Sequence, residues 1–196
     1  MKRNHALLFL SSLLTILVVA LVTLLLNAPS KTSEFGSEAF GTDFTLIDQN
    51  EQTRTRADFD GKYKLVFFGF TFCPAICPTE LQKISEALDI LGADAQKVQP
   101  LFITVDPERD TPAVLKDFLS NFDDSIVGLT GARAVIDPVI KGYKIYASKV
   151  PGGDTENYLM DHSAFIYFLG PQNELIKVFK TDDTAAQMAE EIKAML

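Results

Sequence analysis

Two cysteines with three residues between them, Cys73 and Cys77, are the side chains of this sequence best suited to chemistry. They are the only cysteines among 196 residues, and a stabilising framework of disulfides generally uses more of them at longer separations. Because residues i and i+4 share one face of a helix, the two sulfurs can meet in a disulfide or on a common metal ion. The spacing therefore indicates redox or metal chemistry.

The surroundings of the pair predict reactive thiols. The apolar run KLVFFGF at 64–70 has the length of a buried strand, and Pro78 is suited to the first turn of a following helix. Cys73 is predicted to lie in the connecting loop and Cys77 near the helix N-terminus, where the helix dipole favours a thiolate at Cys77. The alternative is that both cysteines are inert and pack in the core as small apolar side chains.

His162 is the candidate third ligand. Of the two histidines, His5 lies in the N-terminal flank, whereas His162 immediately precedes the apolar run SAFIYFLG at 163–170. By itself His162 has a simpler interpretation, a histidine at the start of a strand whose ring is satisfied by a backbone carbonyl. With the cysteines it completes a set of two thiolates and one imidazole, which suits copper, or zinc if a fourth ligand is present.

The rest of the pattern predicts an α/β domain that positions these residues. Strand-like apolar runs alternate with segments of helical periodicity, and a hairpin and a helix close the chain, which is typical of an α/β sandwich. In chain order we predict a hairpin over 44–55, strands over 64–70 and 100–106, helices from Pro78 to Gly92 and from Pro112, a short strand over 125–131, a helix from Ala132 to about Tyr143, an extended segment over 146–150, strands over 163–170 and 174–180, and a helix over 183–196.

The N-terminal segment predicts a single transmembrane helix. Residues 6–26 form an uncharged run of 21 residues, which at about 1.5 Å per residue spans the roughly 30 Å of a bilayer core. Lys2 and Arg3 precede it, so the positive-inside rule keeps the start cytoplasmic and exports the remainder. A cleaved signal peptide is the alternative, although the run exceeds the usual apolar region of about 7–15 residues and no A-x-A site follows.

These features divide the chain into a membrane anchor over 1–27, a flexible tether over 28–41 and a globular domain over 42–196. After residue 27 the chain carries 16 basic and 26 acidic residues, a net charge of −10. Such a domain repels nucleic acid and suits a cationic partner or a metal ion. The short basic start favours the bacterial inner membrane, with the domain on the periplasmic side, over an organellar presequence.

Four segments together resemble the SCO/SenC family of cytochrome oxidase assembly proteins: TFCPAICPTEL (71–81), TVDPERDTP (104–112), IVGLTG (126–131) and DHSAFIYFLGP (161–171). The resemblance implies a thioredoxin-like fold in which Cys73, Cys77 and His162 are the ligands of copper, as Cu(I) or Cu(II). It also implies that Asp106 lies near the metal, and Asp161, beside the histidine, is a second candidate for its surroundings.

Two details qualify the resemblance. Ala75 stands where many family members carry an acidic residue, which removes a charge near the metal but no ligand. The charged residues after the second strand also have a simpler interpretation than a role at the metal. Asp106, Glu108, Arg109 and Asp110 could form a solvated turn with a local ion pair, which is a common and weak arrangement.

The resemblance implies a copper metallochaperone, a binding and transfer protein rather than an enzyme. Its partners would be the copper-centre subunit of cytochrome c oxidase and a thiol reductant protein, because a disulfide between Cys73 and Cys77 cannot hold copper through two thiolates. The alternative is a membrane-anchored thiol–disulfide reductase that reduces the cysteines of the oxidase subunit. Three residues between the cysteines, rather than the two of thioredoxin, weigh modestly against a general oxidoreductase.

Two further classes fit less well. A peroxiredoxin requires Thr or Ser three residues before its reactive cysteine, whereas Phe70 and Pro74 occupy those positions here. A purely structural membrane protein would have no need for a cysteine pair at a strand-to-helix junction.

Overall fold

The computed structural model describes residues 39–152 and 158–196. The predicted transmembrane run at 6–26 and residues 28–38 of the predicted tether lie outside the described residues. Within the described part, no helix is both long enough and apolar enough to cross a bilayer. At the end of the predicted tether, Ala39 forms a bridge to Glu174 and the Phe40 ring packs against Tyr167, so contacts with the domain begin before residue 42.

Nine strands form two sheets in the described residues. The strands are β1 (Thr45–Asp48), β2 (Thr53–Thr55), β3 (Tyr63–Gly69), β4 (Val98–Thr104), β5 (Val127–Thr130), β6 (Ala147–Lys149), β7 (Met160–His162), β8 (Ile166–Leu169) and β9 (Leu175–Phe179). Seven of them form one sheet in the order β2-β1-β5-β4-β3-β8-β9, and β6 pairs only with β7. The β3–β4 and β4–β5 pairs are parallel, whereas the other pairs are antiparallel.

Four α-helices accompany the sheets in the described residues: α1 (Ile76–Leu91), α2 (Pro112–Leu119), α3 (Arg133–Gly142) and α4 (Ala185–Lys193). Short 3₁₀ helices cover Arg56–Phe59 and Gly92–Lys97. Helix α1 packs against α4, α2 packs against β5, and α3 lies against β1. The mixed α/β class predicted from the alternation of apolar runs is confirmed.

The predicted α-helices form, with shifted ends. Helix α1 begins at Ile76, two residues before Pro78. Proline is tolerated at this position because the N–H groups of the first turn have no intrahelical acceptor, so no hydrogen bond is lost. Helix α2 begins at Pro112 as predicted, and the Thr111 hydroxyl accepts the Val114 N–H at 3.3 Å as its N-terminal cap. Helix α3 continues through Pro138.

Strand β3 is the element that carries the cysteine loop. Six of its seven residues are buried, which is why its sequence is an almost unbroken apolar run. It pairs in parallel with β4 on one side and antiparallel with β8 on the other, so it lies inside the sheet. The loop that follows β3 therefore starts from a backbone fixed on both sides.

Candidate metal centre

The structure brings Cys73, Cys77 and His162 together from three elements. Cys73 lies in the loop after β3, Cys77 is the second residue of α1, and His162 is the last residue of β7. One ligand atom from each of the three lies within 4.8 Å of the other two. The Cys77 sulfur is 3.5 Å from His162 Nε2 although 85 residues separate them in sequence. Sequence spacing could not predict this contact.

A buried carboxyl group holds the loop that carries Cys73. The Thr71 hydroxyl donates to Asp110 Oδ1 at 2.6 Å, and the Thr71 N–H lies 3.2 Å from Oδ2. The Thr104 hydroxyl, at the end of β4, donates to Oδ2 at 2.6 Å. Asp110 thereby ties the start of the cysteine loop to the neighbouring strand. Burial raises the pKa of Asp110 above its ordinary value, although the hydrogen bonds from Thr104 and Thr71 oppose that rise.

Gly69, the last residue of β3, makes room for Cys77. A Cβ atom at position 69 would lie 2.7 Å from the Cys77 sulfur and 2.8 Å from Cε2 of Phe102, and real Cβ atoms do not approach other atoms so closely. Cys77 is fully buried, so its sulfur occupies the space that a larger residue at 69 would fill. The glycine in KLVFFGF is therefore part of the site, although no pattern in the sequence singled it out.

The two thiols differ in exposure and in acidity. Cys73 is half-buried, and its sulfur accepts the Cys77 N–H at 3.4 Å. Hydrogen bonding from the Cys77 thiol, with smaller contributions from His162 and backbone N–H groups, lowers the pKa of Cys73 well below its ordinary value. The hydrogen bond to Cys73, together with burial, raises the pKa of Cys77. The prediction that Cys77 is the thiolate is wrong, because the hydrogen bond to Cys73 and burial raise the Cys77 pKa despite its place at the helix N-terminus.

His162 is oriented for coordination through Nε2. Its Nδ1 lies 2.9 Å from the Ser163 carbonyl oxygen, which can only accept, so Nδ1 carries a proton and Nε2 is the ring nitrogen left to face the thiols or a metal ion. The Phe70 ring meets the imidazole edge-to-face with centroids 5.7 Å apart, and Phe67 packs 6.4 Å away. The carbonyl contact foreseen for an isolated histidine is therefore present, and it turns the other nitrogen toward Cys77.

The three groups fit a small soft metal ion. Two ligands bonded at about 2.0–2.3 Å to one ion are separated by at most about 4.6 Å, so atoms within 4.8 Å of one another need only small shifts to close on it. Within the described residues, no further histidine and no carboxylate joins this group. Two thiolates and one imidazole suit copper, whereas structural zinc sites almost always have four ligands.

Asp106, predicted to lie near the metal, is fully buried and holds other side chains. Its carboxyl oxygens accept hydrogen bonds from Arg109 Nε and from the Tyr158 hydroxyl, both at 2.6 Å, and Arg133 lies 3.6 Å away. Because both Asp106 and Asp110 are buried, the interpretation of this segment as a solvated turn is wrong, although the local ion pair is present between Arg109 and Asp106. Only Glu108 in it is exposed.

Asp161, the other residue predicted to lie near the metal, is exposed. Side chains alternate along a strand, so Asp161 lies on the opposite face of β7 from Met160 and His162. The same alternation includes Tyr158, a buried residue that the sequence interpretation missed. Its signal was present in YLMDH, where every second residue lies on the inner face.

The fold and this site define a class of protein. A cysteine pair at the junction of a central strand and the following helix, joined by a histidine from a distant strand, is a thiolate–imidazole metal centre on a thioredoxin-like α/β fold. The SCO1/SenC family model matches residues 32–196. The chain belongs to the SCO1/SenC family, which confirms the resemblance seen in the four sequence segments.

Individual relatives agree with this assignment. The chain is 46% identical to ScoI of Bradyrhizobium japonicum, whose structure has copper bound, with a TM-score of 0.75 and coverage of 81% of this chain and all of that one. Yeast Sco1 with copper bound is 35% identical, with a TM-score of 0.74 and coverage of 80% and 88%. A SCO2-like protein of Rickettsia felis is 40% identical over 154 residues, which cover 78% of this chain and 75% of the relative.

Proposed function

We propose that this protein is a copper metallochaperone that binds copper through Cys73, Cys77 and His162. The observation that carries the proposal is the convergence of the three ligand atoms within 4.8 Å of one another, in a chain 46% identical to a copper-bound ScoI. Family membership supports the further proposal that the copper is destined for the dinuclear copper centre of cytochrome c oxidase. The recipient would be the oxidase subunit that holds this centre.

The unequal exposure of the ligands suggests how copper leaves. Cys77 is fully buried, whereas Cys73 is half-buried and stands at the open side of the site. A ligand of the recipient can therefore reach the copper beside Cys73 first and replace that sulfur, while Cys77 and His162 still hold the ion. Few ligands need to be released at any one moment, which suits transfer by ligand exchange.

The test is anaerobic Cu(I) binding by the full chain in detergent, measured by competition with a chromophoric chelator. We expect one tightly bound Cu(I) per chain, much weaker binding by His162→Ala, and unchanged binding by His5→Ala as the matched control. Failure of the reduced wild-type protein to bind Cu(I) specifically would refute the proposal. The absorption spectrum of the purified copper-centre subunit would then report transfer of the bound copper to it.

A thiol–disulfide reductase is the second candidate, and the difference between the two thiols favours it. The Cys73 thiolate can attack a partner disulfide to form a mixed disulfide and release one partner thiolate, which takes up a proton. Cys77 then loses its proton and attacks the Cys73 sulfur, which releases the second partner thiol and leaves a Cys73–Cys77 disulfide. A thiol reductant protein must restore the dithiol, so this candidate needs that partner continuously.

His162 separates the two candidates, because copper binding uses its lone pair and dithiol exchange does not. A His162→Ala protein that loses Cu(I) binding but still reduces a model peptide disulfide would show that the dithiol can act independently. Under the chaperone proposal, the protein has no catalytic turnover of its own. Oxidation to the Cys73–Cys77 disulfide then serves as a switch that prevents copper binding.

We further propose that the chain is held in a bacterial inner membrane by residues 6–26, with the domain on the periplasmic side. The support is the uncharged length of this run and the basic residues Lys2 and Arg3 before it. N-terminal sequencing of the mature protein provides the test. A sequence that begins at Met1 or Lys2 agrees with an anchor, whereas one that begins after residue 27 would show a cleaved signal peptide.

A further inference from the structure

The strand that carries His162 is not part of the main sheet. Strand β7 pairs only with β6, through Ala147 to His162, Ser148 to Asp161 and Lys149 to Met160. An isolated two-stranded hairpin is at best marginally stable in water. The position of His162 relative to the cysteines therefore depends on side chains that tie β6 and β7 to the rest of the domain.

Tyr158 provides such a tie. Side chains alternate along an extended chain, so Tyr158, Met160 and His162 share its inner face, and the first two are buried. The Tyr158 hydroxyl donates to Asp106 Oδ1 at 2.6 Å. Met160 adds apolar burial, which is not directional, whereas this hydrogen bond fixes one point of the segment against the loop after β4.

Arg109 contacts both Asp106, the hydrogen-bond acceptor of Tyr158, and the Tyr158 ring. Its Nε donates to Asp106 Oδ2 at 2.6 Å, the oxygen that Tyr158 does not use. Its guanidinium lies 3.6 Å from the centre of the Tyr158 ring and 4.6 Å from that of Phe72, the residue just before Cys73. A guanidinium over an aromatic face is attracted to it, most strongly where water is excluded. The arrangement links the segment before β7 to the cysteine loop.

A second link between the same regions lies at the surface. Lys149 Nζ is 2.6 Å from a carboxyl oxygen of Glu108, and both side chains are about half exposed. Exposed ion pairs of this kind contribute little because solvent screens them. Among the described contacts, the buried contact of Tyr158 with Asp106 and Arg109 is therefore a stronger directional tie of the β6–β7 sheet than this ion pair.

We propose that Tyr158 is a positioning residue for the metal centre, which fixes β7 against Asp106 and Arg109 so that His162 is held within reach of Cys77. Asp106 and Arg109 act through Tyr158 rather than by touching the metal. The expected effect on copper binding rests on the proposed function, whereas the positioning of His162 is a property of the metal-free protein. Both parts can be measured.

The copper arm of the test compares Tyr158→Phe with Tyr146→Phe, which removes the hydroxyl of an exposed tyrosine beside β6 as the matched control. In the full chain, we expect Tyr158→Phe to weaken Cu(I) binding about 10- to 100-fold, the usual cost of losing an outer contact that orients a ligand. The control should bind like the wild type. In a His162→Ala background, Tyr158→Phe should cause no additional loss, because its effect passes through His162.

Two other readouts separate positioning from a general loss of structure. The backbone amide resonances of β1 and β2, at the far edge of the main sheet, should be unchanged in Tyr158→Phe, whereas the ring ¹⁵N resonances of His162 in the metal-free protein should shift or broaden. Unchanged copper affinity with unchanged His162 resonances, or equal loss of affinity in both backgrounds, would overturn the inference. If the wild-type protein binds no Cu(I), the proposed function fails and the resonances alone decide the positioning role.

Discussion

The main-chain N–H of Cys77 lies 3.4 Å from the sulfur of Cys73 and donates to it. The buried cysteine thus contributes both a backbone N–H and a thiol to stabilise negative charge on the half-buried one. Two residues of the same type, four apart in sequence, consequently have opposite roles. Cys73 is the accessible thiolate, and Cys77 is the buried thiol that stabilises it.

Replacing Cys77 with Ala should raise the pKa of Cys73. The variant loses the thiol hydrogen bond, which is the largest cause of the lowered Cys73 pKa, but keeps the backbone N–H at position 77. The measurement is the rate of alkylation of Cys73 by iodoacetamide as a function of pH, compared with the wild type at early times. Because the thiolate is the reactive form, the wild-type rate should persist to lower pH than that of the variant.

The matched experiment uses Cys73→Ala, in which Cys77 is the only thiol. Cys77 is fully buried, so its alkylation should be slow across the whole pH range in which the fold is stable. A Cys73→Ala protein that is alkylated as fast as Cys77→Ala would contradict the assignment of Cys73 as the accessible thiolate.

Gly69→Ala should damage the metal centre specifically. The new methyl group would lie 2.7 Å from the Cys77 sulfur and must displace it. We expect a loss of unfolding free energy of about 1–3 kcal/mol, typical of overpacking, together with at least tenfold weaker Cu(I) binding. Denaturant unfolding and chelator competition measure the two effects separately.

Gly128→Ala is the control for this crowding. A Cβ at position 128, in β5 of the same sheet, would lie 2.5 Å from Leu119 Cδ1, so it overpacks the core away from the cysteines. It should lower stability by a similar amount and leave Cu(I) affinity unchanged. Equal losses of affinity in the two variants would mean that general destabilisation, not the position of Cys77, accounts for the result.

Replacing Asp110 separates its charge from its hydrogen bonds. Asp110→Ala leaves the Thr71 N–H and two hydroxyls without their acceptor and should lower the unfolding free energy by about 2–4 kcal/mol. Asp110→Asn keeps one carbonyl oxygen at the site, and the threonine hydroxyls can turn to accept from its amide, so its cost should be much smaller. Urea unfolding of the reduced proteins measures both.

The stability of Asp110→Asn relative to the wild type should depend on pH with a definite sign. The pKa of Asp110 is raised in the folded protein from its ordinary value of 3.8, so the folded state holds the proton more tightly than the unfolded state. The contribution of this carboxyl to stability therefore declines as pH rises from about 3.8 toward the folded pKa. Asp110→Asn should gain stability relative to the wild type over that range, and a constant difference would contradict the raised pKa.

The site should discriminate against zinc. Within the described residues it offers two sulfurs and one imidazole, and no carboxylate completes a tetrahedral set. We expect Zn(II), added in equal amount with Cu(I) under anaerobic conditions, to remain in solution while the protein retains copper. Metal analysis after gel filtration measures the outcome, and equal retention of zinc would imply a further ligand.

The sequence predicted most of the fold because apolar periodicity is a local property. Strand β3 and helix α1 follow directly from the run at 64–70 and from the spacing of Leu81, Ile84 and Leu88, all of which are buried. Helix ends were less exact: the helix predicted over 183–196 forms over Ala185–Lys193. Such shifts arise because the last turn of a helix depends on tertiary contacts.

The parts that sequence reasoning missed depend on contacts between distant segments. The extended segment predicted over 146–150 contains β6, whereas β7, with three residues, was not predicted. The burial of Asp106 depends on Tyr158, which lies 52 residues away, and a charged residue after a strand gives no sign of such a partner. The thiolate assignment failed similarly, because the depth of Cys77 in the core cannot be judged from its place near a helix start.

The distance of 85 residues between Cys77 and His162 has a consequence for the life of the protein. A copper ion held by both would close a long loop and join the start of α1 to the end of β7, so the loaded chain is stabilised by mass action in proportion to the logarithm of free copper over its dissociation constant. Under the proposed function, each delivery of copper removes that cross-link and its stabilisation. We therefore expect the empty chain to be more exposed to proteases and the lifetime of the protein to follow the supply of copper.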